Sequence, residues 1–260
     1  MFNKEFEGQS AIVLGASSGF GGATALELAK NGLNIIGVHL DRRSTLQNAV
    51  DLKEKIEALG RKALFFNINA LDEKKRAMVI TEAKAANMGP IKVYLHSLAF
   101  GALKALTGES SLSSAQIEMT LNVMANSFVY WANDLEKAGL LSDKARLYAM
   151  TSAGSSKIWP SYGAVSAAKA ALESYCRQLA VELAPRGIRC NAIMAGVTDT
   201  AALRKIPGNE AMIEHALKSN PAQRLTLPED VAKSITALSS SYCDFVNGNT
   251  IRIDGGEFIV

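Results

Sequence analysis

Short apolar runs alternate with longer windows of helical periodicity along almost the whole chain, and this alternation restricts the fold more than any other feature. Seven runs indicate strands, at residues 11–14, 34–38, 62–66, 91–95, 146–150, 188–193 and 250–253. Strands that alternate with helices are joined by right-handed crossovers and form a parallel sheet covered on both faces. We therefore predict an α/β fold, a doubly wound parallel sheet of the Rossmann type with about seven strands and helices on both faces.

The segment 195–227, between the last two predicted strands, is the one irregular stretch. It contains Pro207 and Pro221 around a short helical window at 210–218. A surface excursion would explain this composition, and so would a mobile lid, because doubly wound sheets bind ligands beyond the carboxyl ends of their strands. We expect the lid. No linker or change in composition divides the chain, so residues 1–260 are predicted to form a single domain.

The composition limits which binding partners and which cellular compartment are expected. A net charge of +3 is too small to suggest nucleic acid as the main partner. Residues 1–7 lack the apolar stretch of a signal peptide, and no window approaches about 18 uninterrupted apolar residues, so we expect no membrane contact. The few cysteines and histidines have no metal-like spacing; they are Cys176, Cys190, Cys243, His39, His96 and His215. We expect a cytoplasmic protein without a bound metal.

Three glycines follow the first predicted strand and open the next helix, in the pattern Gly15-x3-Gly19-x-Gly21. Gly15 permits a tight turn, Gly19 lets the backbone approach a pyrophosphate, and Gly21 lets helix and strand pack closely. The helix N-terminus presents free N–H groups to the phosphates, and Ser17 and Ser18 add hydroxyl donors. This pattern predicts that the chain binds a dinucleotide.

The end of the second predicted strand bears on which dinucleotide is bound. An acid at the first position there holds a ribose 2′-hydroxyl, whereas a basic residue suits a 2′-phosphate. His39 occupies the first position, and Asp41, Arg42 and Arg43 follow closely. Because no acid stands first and two arginines are near, we favour NADP(H), with NAD(H) as the alternative that Asp41 leaves open. The arginines could also belong to a solvated turn.

Tyr162 and Lys169 stand seven positions apart in a predicted helix that reaches about residue 184. Seven residues advance a helix by about 700° and about 10.5 Å, so both side chains are expected on one face. Ser152 follows the preceding strand, at the carboxyl edge of the sheet. Tyr162 could donate a proton or hydrogen bond to a carbonyl oxygen that gains negative charge. Lys169 could hold the nicotinamide ribose and lower the pKa of the phenol, and Ser152 could orient either group.

The chain resembles the short-chain dehydrogenase/reductase family over nearly its whole length. The residues that carry the resemblance are the glycine turn, Asn122, Ser152, Lys169, the run 191–196 with Thr200, and Asp254-Gly255-Gly256. The resemblance implies one dinucleotide-binding catalytic domain, with Tyr162, Lys169 and Ser152 as its catalytic residues. It implies that Asn122 bends its helix or holds a water. The implied cofactor-binding residues are Gly15, Ser17, Ser18, Gly19, Phe20, Gly21, Arg42, Asn67, Ile68, Ser97, Leu98, Ala99, Lys169, Gly196, Thr198 and Thr200.

One departure from the family pattern narrows the reaction. Most members place the tyrosine four residues before the lysine, but Val165 stands there and has no proton to give. The Tyr-x6-Lys spacing of Tyr162 resembles enoyl-acyl-carrier-protein reductases, as does the run 95–100 (Leu-His-Ser-Leu-Ala-Phe). The similarity is greatest to the FabL-type subgroup, which keeps the ordinary glycine turn and favours NADPH.

The displaced tyrosine suits reduction of a carbon–carbon double bond. Hydride transfer to the β-carbon of an enoyl thioester leaves the charge on a carbonyl oxygen farther from the nicotinamide, where a displaced phenol can meet it. We therefore expect an NAD(P)H-dependent enoyl-acyl-carrier-protein reductase of fatty-acid synthesis. The alternatives are a ketone or alcohol oxidoreductase of the same family, such as a 3-oxoacyl or hydroxysteroid reductase, and a non-catalytic NAD(P)-sensing protein.

The resemblance also implies partners. The expected substrate is a thioester of acyl carrier protein or coenzyme A, and relatives pair through two long helices, here 113–138 and 161–184, usually as homotetramers. Acyl carrier protein is acidic, so its docking site should be basic. Four basic residues flank the predicted lid, and they form either such a docking patch or ordinary solvated surface; they are Arg204, Lys205, Lys218 and Arg224.

Overall fold

A computed structural model describes residues 3–260, and within that range seven strands form one parallel sheet. The strands are β1 (Ser10–Leu14), β2 (Asn34–His39), β3 (Ala63–Asn67), β4 (Ile91–His96), β5 (Leu141–Thr151), β6 (Arg189–Ala195) and β7 (Thr250–Ile253). Their order in the sheet is β3-β2-β1-β4-β5-β6-β7, and every neighbouring pair is parallel. The predicted fold class and all seven predicted strands are confirmed.

Helices cover both faces of the sheet. The α-helices are α1 (Asn3–Phe6), α2 (Gly19–Lys30), α3 (Leu46–Ala58), α4 (Glu73–Ala85), α5 (Ser114–Leu121), α6 (Ser127–Lys137), α7 (Gly163–Glu182), α8 (Asn209–Ser219) and α9 (Pro228–Leu238). Helices α2, α3 and α9 bury Leu28, Leu52 and Val231 in the apolar core on one face. Helices α4, α6 and α7 cover the other face. None of the helices in residues 3–260 has the length and apolar composition needed to cross a bilayer.

Burial follows the position of each strand in the sheet. Every residue of the central strands β1 and β4 is buried, as expected for strands covered on both faces. The edge strand β7 instead alternates between exposed and half-buried residues. The strand order reverses between β1 and β4, so the loops that follow these two strands diverge and leave a crevice at the carboxyl edge of the sheet.

The long helix predicted at 113–138 is interrupted. Helix α5 ends at Leu121, a π-helical turn covers Asn122–Asn126, and α6 begins at Ser127. Within this stretch the Asn126 amide donates to the Asn122 side-chain oxygen (2.8 Å), and the Ser127 hydroxyl donates to the Val123 carbonyl (2.8 Å). Side chains that bond back to the preceding turn compete with the regular helical pattern, and such bulges often mark functional sites.

Tyr162 lies outside the helix in which the sequence placed it. Helix α7 begins at Gly163, and Tyr162 is the residue before its first turn, with φ −98° and ψ 1°. A tight turn precedes it: the Tyr162 N–H donates to the Trp159 carbonyl (3.2 Å), and Ser161 between them has a φ of +62°. Tyr162 is thus the N-cap of α7, and its carbonyl accepts the Ser166 N–H (2.7 Å). That Tyr162 and Lys169 share one helical face stays a prediction. The helix ends at Glu182, two residues earlier than predicted.

The 195–227 segment leaves the sheet after β6 and contains a short 3-10 turn at Leu203–Lys205 and helix α8. Its two ends are held together, since the Thr226 N–H donates to the Val197 carbonyl (3.1 Å). The Asn220 amide is also fixed, on the Asp254 carbonyl (2.8 Å). These contacts fix both ends of the segment; that the part between them moves as a lid stays a prediction.

Candidate active site

The glycine turn packs directly against the end of β4. Gly15 has a φ of +83°, and a Cβ on it would collide with the Ser97 carbonyl oxygen and lie 3.0 Å from its carbon. A Cβ on Gly21 would collide with the Gly15 carbonyl and lie 3.4 Å from the Ser97 Cβ. Neither position has room for a side chain, so the turn brings the start of α2 close to the crevice.

The N-terminus of α2 is open to a ligand. Gly19, with a φ of +54°, begins the helix, and Ser18 precedes it without capping it through its side chain. A Cβ on Gly19 would lie 3.8 Å from the Thr200 methyl carbon, so the 195–227 segment passes over the turn. Unsatisfied N–H groups at a helix start attract phosphate. The glycine cradle and the uncapped helix therefore fit a dinucleotide pyrophosphate.

At the adenosine end, Asp41 faces the glycine turn. His39, the last residue of β2, is buried and its Nδ1 lies 2.8 Å from the Asp41 carboxylate. Burial raises the pKa of Asp41, but hydrogen bonds from Thr45, Ser17 and His39 outweigh it and lower that pKa below its usual value. Asp41 is thus an anion placed beside Ser17, whereas Arg42 is exposed.

Asn67 and Ile68 have supporting contacts in this region. The Asn67 side chain accepts from the Asp41 N–H (2.9 Å) and donates to the Asp41 carbonyl (3.1 Å). The Ile68 N–H donates to the His39 carbonyl (2.8 Å). These bonds fix the backbone around Asp41. Phe20, in the first turn of α2, is partly buried against the core, and Ser97, Leu98 and Ala99 follow β4.

Tyr162 meets Ser152 at the carboxyl edge of β5. The two hydroxyl oxygens are 3.3 Å apart. Burial raises the pKa of Tyr162 above its usual value, and the Ser152 hydroxyl offsets part of that rise. Gly154 makes room for the ring, because a Cβ there would collide with Cε1 of Tyr162. Sequence reasoning missed Gly154, since a glycine without a positive φ leaves no motif.

Lys169 lies in α7, buried, with its ammonium group donating to the Met150 carbonyl (2.7 Å). Burial lowers the pKa of Lys169 to about 8, and the negative charge of Glu173 opposes the change. Glu173 itself accepts from the Thr151 hydroxyl (2.6 Å). The pKa of Tyr162 in this structure is set by burial and by the Ser152 hydrogen bond, so the lowering of the phenol pKa by Lys169 stays a prediction.

Val165 is packed into the core. It is 3% exposed, and a Cβ on Gly101 would lie 2.8 Å from a Val165 methyl carbon and 3.0 Å from the Met124 sulfur. Val165 therefore contributes to the packing of the core. The phenol that approaches Ser152 comes from Tyr162 instead.

His96 ends β4 in a fully buried place. Its Nε2 lies 2.7 Å from the Ser127 hydroxyl. Burial, reinforced by the charge of Lys169, lowers the pKa of His96 to about 3, so the imidazole is neutral. A neutral, enclosed ring positions the strand end and does not exchange protons with a substrate near pH 7.

The start of the 195–227 segment is fixed by the C-terminal tail. The Val197 N–H donates to both Glu257 carboxylate oxygens (3.0 and 3.2 Å), and the Thr198 hydroxyl donates to the Gly196 carbonyl (3.0 Å). The Thr200 hydroxyl accepts from the Leu203 N–H (3.2 Å). Glu257 thus orients the backbone that the sequence predicted to meet the nicotinamide. No sequence signal marks it, because it follows the Asp254-Gly255-Gly256 motif without belonging to it.

Acidic neighbours neutralise most of the predicted basic patch. Arg204 makes two bonds to Asp199 (2.7 and 2.6 Å), and Arg224 makes two to Asp230 (2.6 and 3.1 Å). Lys218 pairs with the Glu214 carboxylate on the same helix. Such paired charges attract an acidic partner less strongly than four free cations would.

The fold and the Ser152, Tyr162 and Lys169 set together define the class of short-chain dehydrogenases/reductases, which are oxidoreductases. A family model described as Enoyl-(Acyl carrier protein) reductase matches residues 15–257. The chain belongs to that family.

Relatives in the family have different named activities. A 1-cyclohexenylcarbonyl-CoA reductase from Streptomyces collinus is 27% identical over 255 residues, which cover 97% of this chain and 88% of that protein. A cis-4-hydroxycyclohexanecarboxylate dehydrogenase from Sinomonas cyclohexanicum is 30% identical over 256 residues, covering 96% and 97%. An enoyl-acyl-carrier-protein reductase (NADH) from Aquifex aeolicus is 30% identical over 178 residues, covering 67% and 64%. Membership therefore establishes an oxidoreductase, and the substrate must be argued from the site.

Solved structures share the fold along the whole chain. An enoyl-acyl-carrier-protein reductase from Anaplasma phagocytophilum, in complex with NAD, has a TM-score of 0.83 and 23% identity, covering 98% of this chain and 93% of that one. A short-chain dehydrogenase from Burkholderia cenocepacia, in complex with NADP, has a TM-score of 0.84 and 24% identity, covering 97% and 99%. At these identities the similarity establishes the fold.

Proposed function

We propose that the chain is an NAD(P)H-dependent enoyl-thioester reductase, acting on the trans-2-enoyl thioesters of fatty-acid synthesis. The proposal rests on which residue supplies the phenol that approaches Ser152. Tyr162 reaches Ser152 from a turn before α7, while Val165, at the usual tyrosine position, is buried. The donor is thus displaced away from the place that suits a carbonyl carbon accepting hydride.

Tyr162 and Lys169 have different roles in the proposed reaction. A bound reduced nicotinamide supplies a hydride for the β-carbon. Tyr162, which is protonated near pH 7 and whose pKa is raised further by burial, donates a hydrogen bond to the thioester oxygen as that oxygen becomes an enolate. Losing one such donor costs about 2.7–4 kcal/mol in comparable sites. An ammonium has three N–H groups, so Lys169 can keep its bond to Met150 and hold ribose hydroxyls with the others.

The acyl carrier is proposed to be acyl carrier protein or coenzyme A. The Streptomyces relative supports a thioester, because its name specifies a conjugated cyclohexenyl thioester of coenzyme A. The 195–227 segment is proposed to close over the acyl chain, with its base held at Val197 and Thr226. We assign two basic residues to an acidic carrier: Lys205, which makes no ion pair within residues 3–260, and Lys233 on α9.

NADPH is the proposed cofactor, with NADH as the competing choice. Arg42 and Arg43 lie beyond β2 and suit a 2′-phosphate. Asp41 beside Ser17 suits a free 2′-hydroxyl, and the name of the Aquifex relative specifies NADH. The arginines favour NADPH and Asp41 favours NADH at the same site. Measuring oxidation of NADPH and of NADH side by side decides between them.

We also propose a homotetramer that assembles through the α5–α6 region and α7. Two large apolar side chains on these helices support this, since Tyr130 is 38% exposed and Val181 is 72% exposed. Covering such residues is a common source of association energy. Light scattering on the purified chain would give the mass directly, and a monomer would refute the assembly.

The test of the proposed function is NADPH and NADH oxidation with a crotonyl thioester, beside an acetoacetyl thioester, with Tyr162→Phe as the control variant. Turnover of the enoyl substrate, lost in the variant, is expected. Turnover of the acetoacetyl thioester alone would establish a ketone reductase, an activity closer to the dehydrogenase named for the Sinomonas relative. Tight cofactor binding without turnover of either substrate would indicate a non-catalytic NAD(P) sensor.

A further inference from the structure

Trp159 lies between the turn that bears Tyr162 and the 195–227 segment. Its indole N–H donates to the Pro207 carbonyl oxygen (3.1 Å). A Cβ on Gly208, the next residue of the segment, would lie 3.6 Å from the Trp159 ring, which is ordinary contact. One side chain therefore both hydrogen-bonds to and packs against the residues that lead into α8.

The same residue is joined to Tyr162 through the backbone. The Trp159 carbonyl accepts the Tyr162 N–H (3.2 Å), and Pro160 and Ser161 lie between them. Proline at the second position of a turn has a fixed φ, and Ser161 has the left-handed φ of +62° that the third position of a type II turn requires. Such a turn has little freedom, so a displacement of Trp159 is passed on to Tyr162.

Tyr162 depends on this turn because it precedes the helix. Its carbonyl accepts the Ser166 N–H (2.7 Å), but its own N–H is satisfied by Trp159 and not by a preceding helical turn. The orientation of the phenol is thus set by the 159–162 turn together with the space at Gly154.

We propose that Trp159 is a positioning residue that couples the 195–227 segment to Tyr162. When the segment lies over the crevice, the indole bond to Pro207 fixes the 159–162 turn and holds the phenol beside Ser152. When the segment moves away, the turn loses that support. The catalytic consequence rests on the proposed function of Tyr162, whereas the mechanical coupling does not.

The chain has two tryptophans, and they occupy different environments. Trp131 is completely buried in the core, with its N–H on the Ala70 carbonyl (2.9 Å). Trp159 is partly exposed, and the hydrogen bond from its indole N–H joins two separate segments. Trp159 is thus not needed to fill the core, and its N–H bonds to another loop. We expect these features in a contact between two segments that move relative to each other.

Hydrogen exchange of the whole chain, read by mass spectrometry, tests the coupling without any substrate. Trp159→Phe keeps an aromatic ring and removes the N–H donor. Tyr242→Leu is the control, because it removes an aromatic side chain that is 90% exposed near Ser241, whose N–H bonds to Glu5 at the amino ends of the strands. Backbone amides of Trp159→Phe are expected to exchange about fivefold faster than those of the parent protein, both at 199–219 and at 159–163. Exchange in Tyr242→Leu should match the parent.

The stretches in which exchange becomes faster show whether the segment and the turn are coupled. Faster exchange in only one of the two stretches, or in neither, would overturn the coupling. Should Trp159→Phe fold poorly, Trp159→Tyr keeps a ring with a hydroxyl, and it is expected to loosen the same two stretches together. A change confined to one stretch in that variant would refute the proposal equally.

Kinetics then separates this inference from the proposed function. With a crotonyl thioester, Trp159→Phe is expected to lower kcat roughly three- to tenfold and to raise KM for the thioester, leaving KM for the cofactor unchanged. An equal rise in both KM values would indicate a general structural defect and count against coupling. If the parent protein reduces no enoyl thioester, the proposed function fails, and the exchange data still decide whether the two stretches are coupled.

Discussion

Replacing Gly154 with alanine should impair Tyr162 specifically. The new Cβ would collide with Cε1 of the ring and lie 2.8 Å from Cδ1, whereas carbon atoms pack at about 3.5–4.0 Å. The ring must therefore move by at least about 0.7–1.2 Å, and its hydroxyl, farther from the backbone, moves with it. The bond to Ser152 is already 3.3 Å long and would be lost. A displacement of about 1 Å of a catalytic group can cost about 100-fold, so kcat/KM should fall by about that factor.

The assay is enoyl-thioester reduction, with cofactor affinity and the melting temperature measured in parallel. Gly154 has no positive φ, so alanine adds no backbone strain and the protein should remain folded. The decisive comparison is a double-mutant cycle with Tyr162→Phe. If Gly154 acts through the phenol, alanine should cost little in the phenylalanine background. A loss as large there as in the parent, or a single variant within about threefold of the parent, would refute the reasoning.

Three further outcomes follow from the charges. Asp41→Asn removes an anion beside Ser17 and should shift the ratio of NADPH to NADH efficiency toward NADPH by about tenfold, measured as kcat/KM for each cofactor; an unchanged ratio would place the ribose elsewhere. Because burial holds the pKa of Lys169 near 8, its ammonium is charged below that pH and neutral above it, so kcat/KM should fall as pH rises through about 8; a flat profile to about pH 9.5 would contradict this. Asp244→Asn leaves the buried Arg146 guanidinium unpaired and should lower the free energy of unfolding by about 2–3 kcal/mol in urea titrations, less than for fully buried pairs because Asp244 is 37% exposed. Lys144→Met, which removes the exposed partner of Asp244, should change that free energy by no more than about 0.5 kcal/mol.

The sequence predicted the sheet well because the signal for a buried strand is local. The predicted run 11–14, which forms most of β1, is apolar at every position, and the structure buries all of it. Glycine positions were informative for a related reason. Gly15 lies against Ser97, just after β4, and Gly21 lies against the Gly15 carbonyl, so neither position has room for a side chain and the requirement is visible in the residue type itself.

The parts that were not predicted depend on contacts between distant segments or on one backbone angle. Ser161 adopts a positive φ that its residue type does not indicate, and this moved Tyr162 out of the predicted helix. Glu257 reaches Val197 across 60 positions, a separation at which composition carries no information. Asp41 was recognised as an acid near β2, but its contact with Ser17 follows from the path of the chain after His39.

A tyrosine placed before its helix needs support that a tyrosine within the helix does not. A residue beyond the first turn of α7 has its backbone fixed on both sides by helical hydrogen bonds, and its side chain direction follows from the helix. Tyr162 has helical bonding on one side only. The difference is made up by the 159–162 turn, by the cavity that Gly154 leaves for the ring, and by the hydroxyl of Ser152. All three supports lie in residues 152–162. The position of Tyr162, with six residues between it and Lys169, therefore depends on the short loop before α7. A change in the spacing alone, without that loop, would give a phenol in the right region with no fixed direction.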